Sequence, residues 1–199
     1  MIIIVLGLAL APPAALIGGT YGAIAAESPE AIKNAETQLQ KVWATQNHPV
    51  SVQTALVNTA QEKANRILVP LPCAELQKIS QPNDCETLKS NGIDTLVEPN
   101  LTLMGLTGST GVNPPLHLSL ILSVRIVRTA DNVVLGTKIF DYSGNEHTFV
   151  EWAANDGRLL KEEFFLGYQN LADQVIAYLF LTPPPLPPAD QNGIDESSW

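Results

Sequence analysis

The sequence predicts an α/β (α+β sandwich) fold, in which a single, mostly antiparallel sheet has helices packed on it. Residues 116–128 alternate between apolar and mixed positions, which is typical of a strand with one buried face. Residues 129–132 (Thr-Ala-Asp-Asn) are of types that favour a turn, and an extended stretch follows over residues 133–143. Together with the preceding strand, this pattern predicts a β-hairpin. Apolar residues recur at helical spacing on both sides of this region. After the N-terminal segment, the predicted element order is α-α-β-α-β-β-β-α.

Four helices are expected. The first begins at the N-cap Ser28, which a proline and an acidic residue follow, and the second follows the break at residues 47–49. A short third helix ends at Gly92, in the position where glycine commonly stops a helix. The last helix is predicted from Asn155 or Asp156 to about residue 180, because its apolar residues form one stripe.

Two further strands precede the hairpin. Residues 67–69 form a short apolar run that prolines end, and residues 95–106 form a longer strand. Pro99 lies within the longer strand, which places it at a bulge or a sheet edge. A short extended piece is also expected over residues 148–152. All these elements belong to one domain over residues 27–181.

The N-terminal segment, residues 1–25, is interpreted as a signal peptide. An apolar run comes first, prolines and small residues follow, and an A-x-A site predicts cleavage after Ala25 or Ala26. The segment has no Lys or Arg, so either the true start lies upstream or the amino-terminal charge alone serves. An uncleaved membrane anchor is the alternative. Export implies a periplasmic or secreted protein, and membrane contact is expected only if the segment is retained.

Charge excludes one class of partner. The chain of 199 residues has 20 acidic and 11 basic residues, and its formal net charge is −9. Nucleic acid is not an expected partner, because binding to phosphates needs clustered Lys and Arg. The proline-rich, acidic residues 182–199 are predicted to be a disordered tail with a polyproline II segment.

Cys73 and Cys85 are the two cysteines. In an oxidising compartment such a pair is most simply a disulfide, which would stabilise the fold by roughly 3 kcal/mol. Two free thiols and a metal site are the alternatives. A metal site is the weaker one, since zinc sites usually have four ligands and no C-x-x-C pair is present.

No catalytic constellation is evident. The sequence lacks G-x-S-x-G, and the glycine-rich residues 105–111 lack the lysine that a phosphate loop needs. His48, His117 and His147 are scattered and share no metal-ligand spacing. We therefore expect no enzymatic activity, no metal and no cofactor. A hydrolase would need His147, Glu146 and a loop Ser or Thr to converge.

One loop is a candidate binding site. Residues 107–115 are rich in small residues and lie between two predicted strands, and loops on rigid sheets often bind ligands. Trp152 precedes a helix start that is rich in capping residues. The alternatives are a simple mobile loop and a Trp that covers the sheet edge. The possible binding residues are Thr107, Ser109, Thr110, Asn113 and Trp152.

A family resemblance rests on four stretches: residues 91–94 (Asn-Gly-Ile-Asp), 125–131, 142–143 and 152–155. Their order resembles exported bacterial proteins that share the α/β domain of the curli-secretion lipoprotein and of the amino-terminal domain of the Tol-system propeller protein. The resemblance covers residues 50–181 and implies a non-enzymatic accessory or scaffold role in envelope assembly or secretion, through contacts with envelope proteins. The alternative function is a small-molecule or glycan-binding periplasmic module. The oligomeric state and the partner are left open.

Overall fold

Five strands form one sheet in the computed structural model, which describes residues 4–6, 29–70, 85–90, 92–108 and 115–181. The strands are β1 (Ile4–Leu6), β2 (Leu68–Pro70), β3 (Thr95–Gly108), β4 (Leu116–Arg128) and β5 (Val133–His147). Their order in the sheet is β2-β1-β3-β4-β5. The helices are α1 (Pro29–Thr45), α2 (His48–Ala64), α3 (Cys85–Ser90) and α4 (Phe149–Ile176), which one π-helical turn (Ala177–Leu181) extends.

The predicted α+β class is confirmed, because β3, β4 and β5 form an antiparallel meander under a layer of helices. α1 and α2 both pack against α4, and α4 contacts β4 and β5. Alternate side chains of β4 lie buried beneath the helices, as the alternation predicts for a one-sided sheet. These buried side chains are Leu116, Leu118, Leu120, Leu122 and Val124.

The irregular positions of β3 agree with its sequence. The register against β4 shifts between Leu101 and Leu103, which marks a bulge. Pro99 pairs with Val124 on one side, and β1 pairs with β3 only over residues 95–97. Pro99 therefore lies where β3 has only one described neighbour, which is a position where a residue without an N–H is tolerated.

α3 covers a small area of the opposite sheet face. Leu88 and Ile93 form a separate buried cluster with Leu96 and Val127. Gly92 has a φ of +73° and ends the helix, as predicted. Cys73 and the side chain of Cys85 lie outside the described residues, so the structure gives the predicted disulfide no support.

Strand β1 is absent from the predicted element order. Ile4–Leu6 lies between β2 and β3 and pairs with both in the parallel direction. The interpretation of residues 1–25 as a signal peptide did not place any of them in the sheet. The cleavage of residues 1–25 stays a prediction. It would remove β1, the strand that lies between β2 and β3, from this sheet. The tail at 182–199 lies outside the described residues.

The start of α4 differs from the prediction. The expected extended piece over 148–152 is wrong, because helical structure begins at Phe149. The Glu151 carboxylate accepts bonds from the Thr148 N–H (2.7 Å) and hydroxyl (2.8 Å), which fixes this first turn. The helix breaks at residues 154–157, where three consecutive residues have positive φ. Gly157, at φ +66°, also lies so close to the Val42 side chain that a Cβ would overlap it.

A proline in β1 tests whether this strand stabilises the folded chain. We expect Val5→Pro to lower the free energy of unfolding by about 2–4 kcal/mol, because proline removes a ladder donor between two paired strands. Glu30→Pro, in the first turn of α1, where a backbone N–H has no partner within the helix, is the control and should cost far less. Equal denaturation midpoints for the two variants in urea would contradict the pairing.

Candidate functional site

Only part of the predicted binding loop is described. The Thr107 hydroxyl and His117 Nε2 lie within hydrogen-bonding distance, at 2.9 Å, on the face opposite the helices. Glu146 lies opposite His117 in the β4–β5 ladder, so the three form one cross-strand row. In the described part of the chain, no hydrogen bond joins His117 to Glu146. Ser109, Thr110 and Asn113 lie outside the described residues.

Trp152 lies inside the core. Its side chain is fully buried, and its indole N–H donates to the Leu116 carbonyl at 2.9 Å. The His147 ring meets it edge-on at 4.9 Å between centroids. A ligand would contact this indole only if the core opened, so the geometry gives the predicted binding role of Trp152 no support. A ligand-binding role for Thr107 stays a prediction.

His48 is a buried polar residue that the sequence pattern did not single out. Its Nε2 lies 3.3 Å from the Trp43 carbonyl, which can only accept, so Nε2 carries the proton. Nδ1 is then the acceptor for the Tyr168 hydroxyl. Burial lowers the pKa of the imidazole below its ordinary value of 6.5, and the Trp43 bond opposes that shift. His48 is therefore a neutral ring that joins α2 to α4.

Glu163 is a second buried polar group on α4. Its Oε1 accepts the Tyr142 hydroxyl at 2.5 Å and the Asn145 N–H at 3.0 Å, which offsets the cost of burying the carboxylate. Burial, and then the neighbouring carboxylate, raise the pKa of Tyr142. A Cβ on Gly144 would overlap this carboxylate, so glycine is required for the approach. These hydrogen bonds hold α4 to β5. They occupy Glu163 Oε1 and the Tyr142 hydroxyl, so neither atom is available to a substrate.

The outer edge of β5 is the surface feature that the sequence analysis missed. β5 is the last strand of the sheet, and four of its apolar side chains are well exposed. Alternation alone does not reveal an edge, because strand order depends on contacts between distant segments. The exposed residues are Val133, Val134, Leu135 and Ile139, at 43%, 48%, 53% and 63%.

The described residues contain neither a cluster of metal-binding side chains nor a membrane-spanning helix. No group of three or more His, Cys, Asp and Glu side chains could hold a metal ion. Over the same ranges, no helix has both the length and the apolar character of a membrane span.

A pH titration tests the assignment of His48. Acidification from about pH 7 to about pH 5 should lower the free energy of unfolding, because the unfolded chain takes up this proton more readily than the fold does. His48→Gln, which keeps an acceptor for Tyr168, should reduce that loss in chemical denaturation. His117→Gln is the control. The assignment is wrong if both variants keep the original pH dependence.

Comparisons with known proteins support the fold alone. No family model matches the chain, and no curated protein matches it. Protein XCC0632 from Xanthomonas campestris, described as DUF330, has a TM-score of 0.50 at 8% identity over 90% of this chain and 84% of that one. The PelC dodecamer from Paraburkholderia phytofirmans has a TM-score of 0.44 at 11% identity, over 89% and 87%.

A third structure is lipoprotein GNA1162 from Neisseria meningitidis, with a TM-score of 0.35 at 12% identity over 81% of this chain and 94% of that one. These three structures include no Tol-system propeller protein, and that half of the sequence resemblance finds no support in them. At such low sequence identity, a structural match indicates a similar fold and does not indicate a shared activity. The chain therefore has an α+β fold similar to that of XCC0632.

Proposed function

We propose that this protein is a non-enzymatic accessory or scaffold protein of the bacterial envelope that acts through protein–protein contacts. The observation that carries the proposal is the exposed, apolar outer edge of β5. Natural sheets seldom leave such an edge bare, because its backbone groups can pair with any extended chain. We infer that a partner strand adds to the sheet here, as in other cases of strand addition.

Helix α4 covers only half of this edge strand. Gln174 Nε2 donates to the Asp141 carbonyl at 2.8 Å, and Glu163 accepts from the Asn145 N–H. These side chains protect the carboxyl-terminal half of β5. Over residues 134–139, in contrast, no side chain of the described chain bonds to the backbone. The proposed contact surface, called the free edge below, is this segment together with Val133.

Charge on the free edge indicates the kind of strand that it accepts. Lys138 is the one charged side chain within residues 133–139, and it is exposed. Ile139 follows it along the strand, Val124 lies opposite it in β4, and the protein as a whole has a net charge of −9. The fitting partner is an extended segment of another protein that alternates β-branched residues with carboxylates, one of which lies opposite Lys138.

Location is the second part of the proposal. The apolar N-terminal segment supports export, and we place the protein in the periplasm or in the secreted fraction. A ligand-binding role at the Thr107 end of the sheet is not favoured, since Trp152 is inside the core.

A strand-forming peptide tests the free edge. A fluorescent peptide that alternates Val with Glu should bind the protein, and the double variant Leu135→Glu with Ile139→Glu should weaken binding at least tenfold in fluorescence polarisation. The new carboxylates remove apolar contacts and repel the carboxylates of the peptide, and at exposed positions they cost about 0.5 kcal/mol or less of folding stability. Leu166→Glu, at an exposed position on α4, is the matched control. Equal peptide affinity for the unsubstituted protein, the double variant and the control would show that the peptide does not bind at the free edge.

The partner itself can be identified in cells. A photo-crosslinking amino acid at Leu135 should give discrete products with an envelope protein, whereas the same group at Leu166 should not. A product at twice the mass of this chain would mean that a second copy, rather than a foreign strand, occupies the edge. Products that are equally strong at both positions would contradict the proposed surface.

A further inference from the structure

We infer that the cleft between α2 and α4 is a binding site for a small amphiphilic acid, meaning an apolar group that carries a single carboxylate or sulfonate. The cleft has a volume of about 270 Å³, near the lower end for ligand sites. It lies on the helical layer and is independent of the free edge of β5. Its lining consists of Gln46, Val50, Ser51, Thr54, Ala55, Asn58, Lys161, Phe164, Phe165, Tyr168 and Gln169.

The floor and one wall of the cleft are apolar and aromatic. Phe164 and Tyr168 are buried and stack with 5.8 Å between ring centroids, and Ala55 is buried beside them. Phe165 and Val50 are exposed at 63% and 51%, so their apolar surfaces remain in water in the free protein. Covering these two side chains with an apolar ligand would remove that surface from water, which favours binding.

Buried contacts hold the floor in place. His48 accepts the Tyr168 hydroxyl from below and lies 4.8 Å from the Phe164 ring, centroid to centroid. The Trp43 ring meets Phe164 edge-on at 5.0 Å. A floor fixed by such contacts before binding loses little freedom when a ligand arrives, and that raises affinity.

Charge decides what kind of ligand fits. Lys161 is the single charged residue in the lining, which includes no carboxylate. None of the ion pairs found among the described residues involves Lys161, whereas its neighbour Glu162 is paired with Arg158 at 3.2 Å. An acidic group therefore meets a cation beside apolar surface here, with no carboxylate in the lining to repel it.

Two dyes with the same aromatic rings test the site. 1-Anilinonaphthalene-8-sulfonate carries the anion, and N-phenyl-1-naphthylamine is the uncharged counterpart. We expect the folded protein to bind the sulfonate at least fivefold more tightly, with Lys161→Gln removing that preference. Lys41→Gln, at an exposed position on α1, is the control and should leave the preference unchanged.

A second variant tests the apolar wall. Phe165→Ser should weaken the binding of both dyes at least threefold, because the wall serves both, and it should leave their ratio unchanged. Near-ultraviolet circular dichroism confirms that each variant is folded. Equal affinity for the two dyes, or a preference that survives Lys161→Gln, would overturn the inference. Fluorescence that neither substitution changes would mean non-specific dye binding and would overturn it as well.

Discussion

The packing of α4 across the apolar face of the meander is the contact on which the rest of the structure depends. α4 touches β4 and β5 on one side and α1 and α2 on the other, so it joins the sheet to the remaining helices. Leu160, Phe164, Leu171 and Val175 of α4 are almost completely buried between the sheet and the other helices. Each such side chain contributes about 1.5–3 kcal/mol relative to an exposed one.

Polar groups at the borders of this contact determine how α4 lies. Glu163 bonds to two groups of β5, and Tyr168 bonds to His48 of α2. Each bond lies next to apolar packing, and a misplaced helix would leave a buried polar atom without a partner. The direction of the helix is therefore more specific than apolar packing alone would make it. The same position of α4 holds Tyr168 in the floor of the cleft. It also determines that α4 covers the carboxyl-terminal half of β5 and leaves the other half uncovered.

The sequence allowed the local features to be predicted, and it did not reveal how distant segments pair. The alternation of β4 and the apolar stripe of α4 are each periodic over many residues, so the class and the element order after β1 were correct. The burial of His48 was not predictable, because its partner Tyr168 lies 120 residues away. Trp152 is a similar case, since the acceptor of its N–H is in β4.

β1 shows why a hydrophobic segment can have two interpretations. A strand that is paired on both sides of a parallel arrangement is usually apolar throughout, and so is the central region of a signal peptide. Residues 2–10 satisfy both descriptions, and their composition alone does not separate them. Cleavage after Ala25 would leave β2 without the strand that links it to β3. The processed chain would then have a meander of three strands with β2 attached through α2, so processing would change the sheet itself.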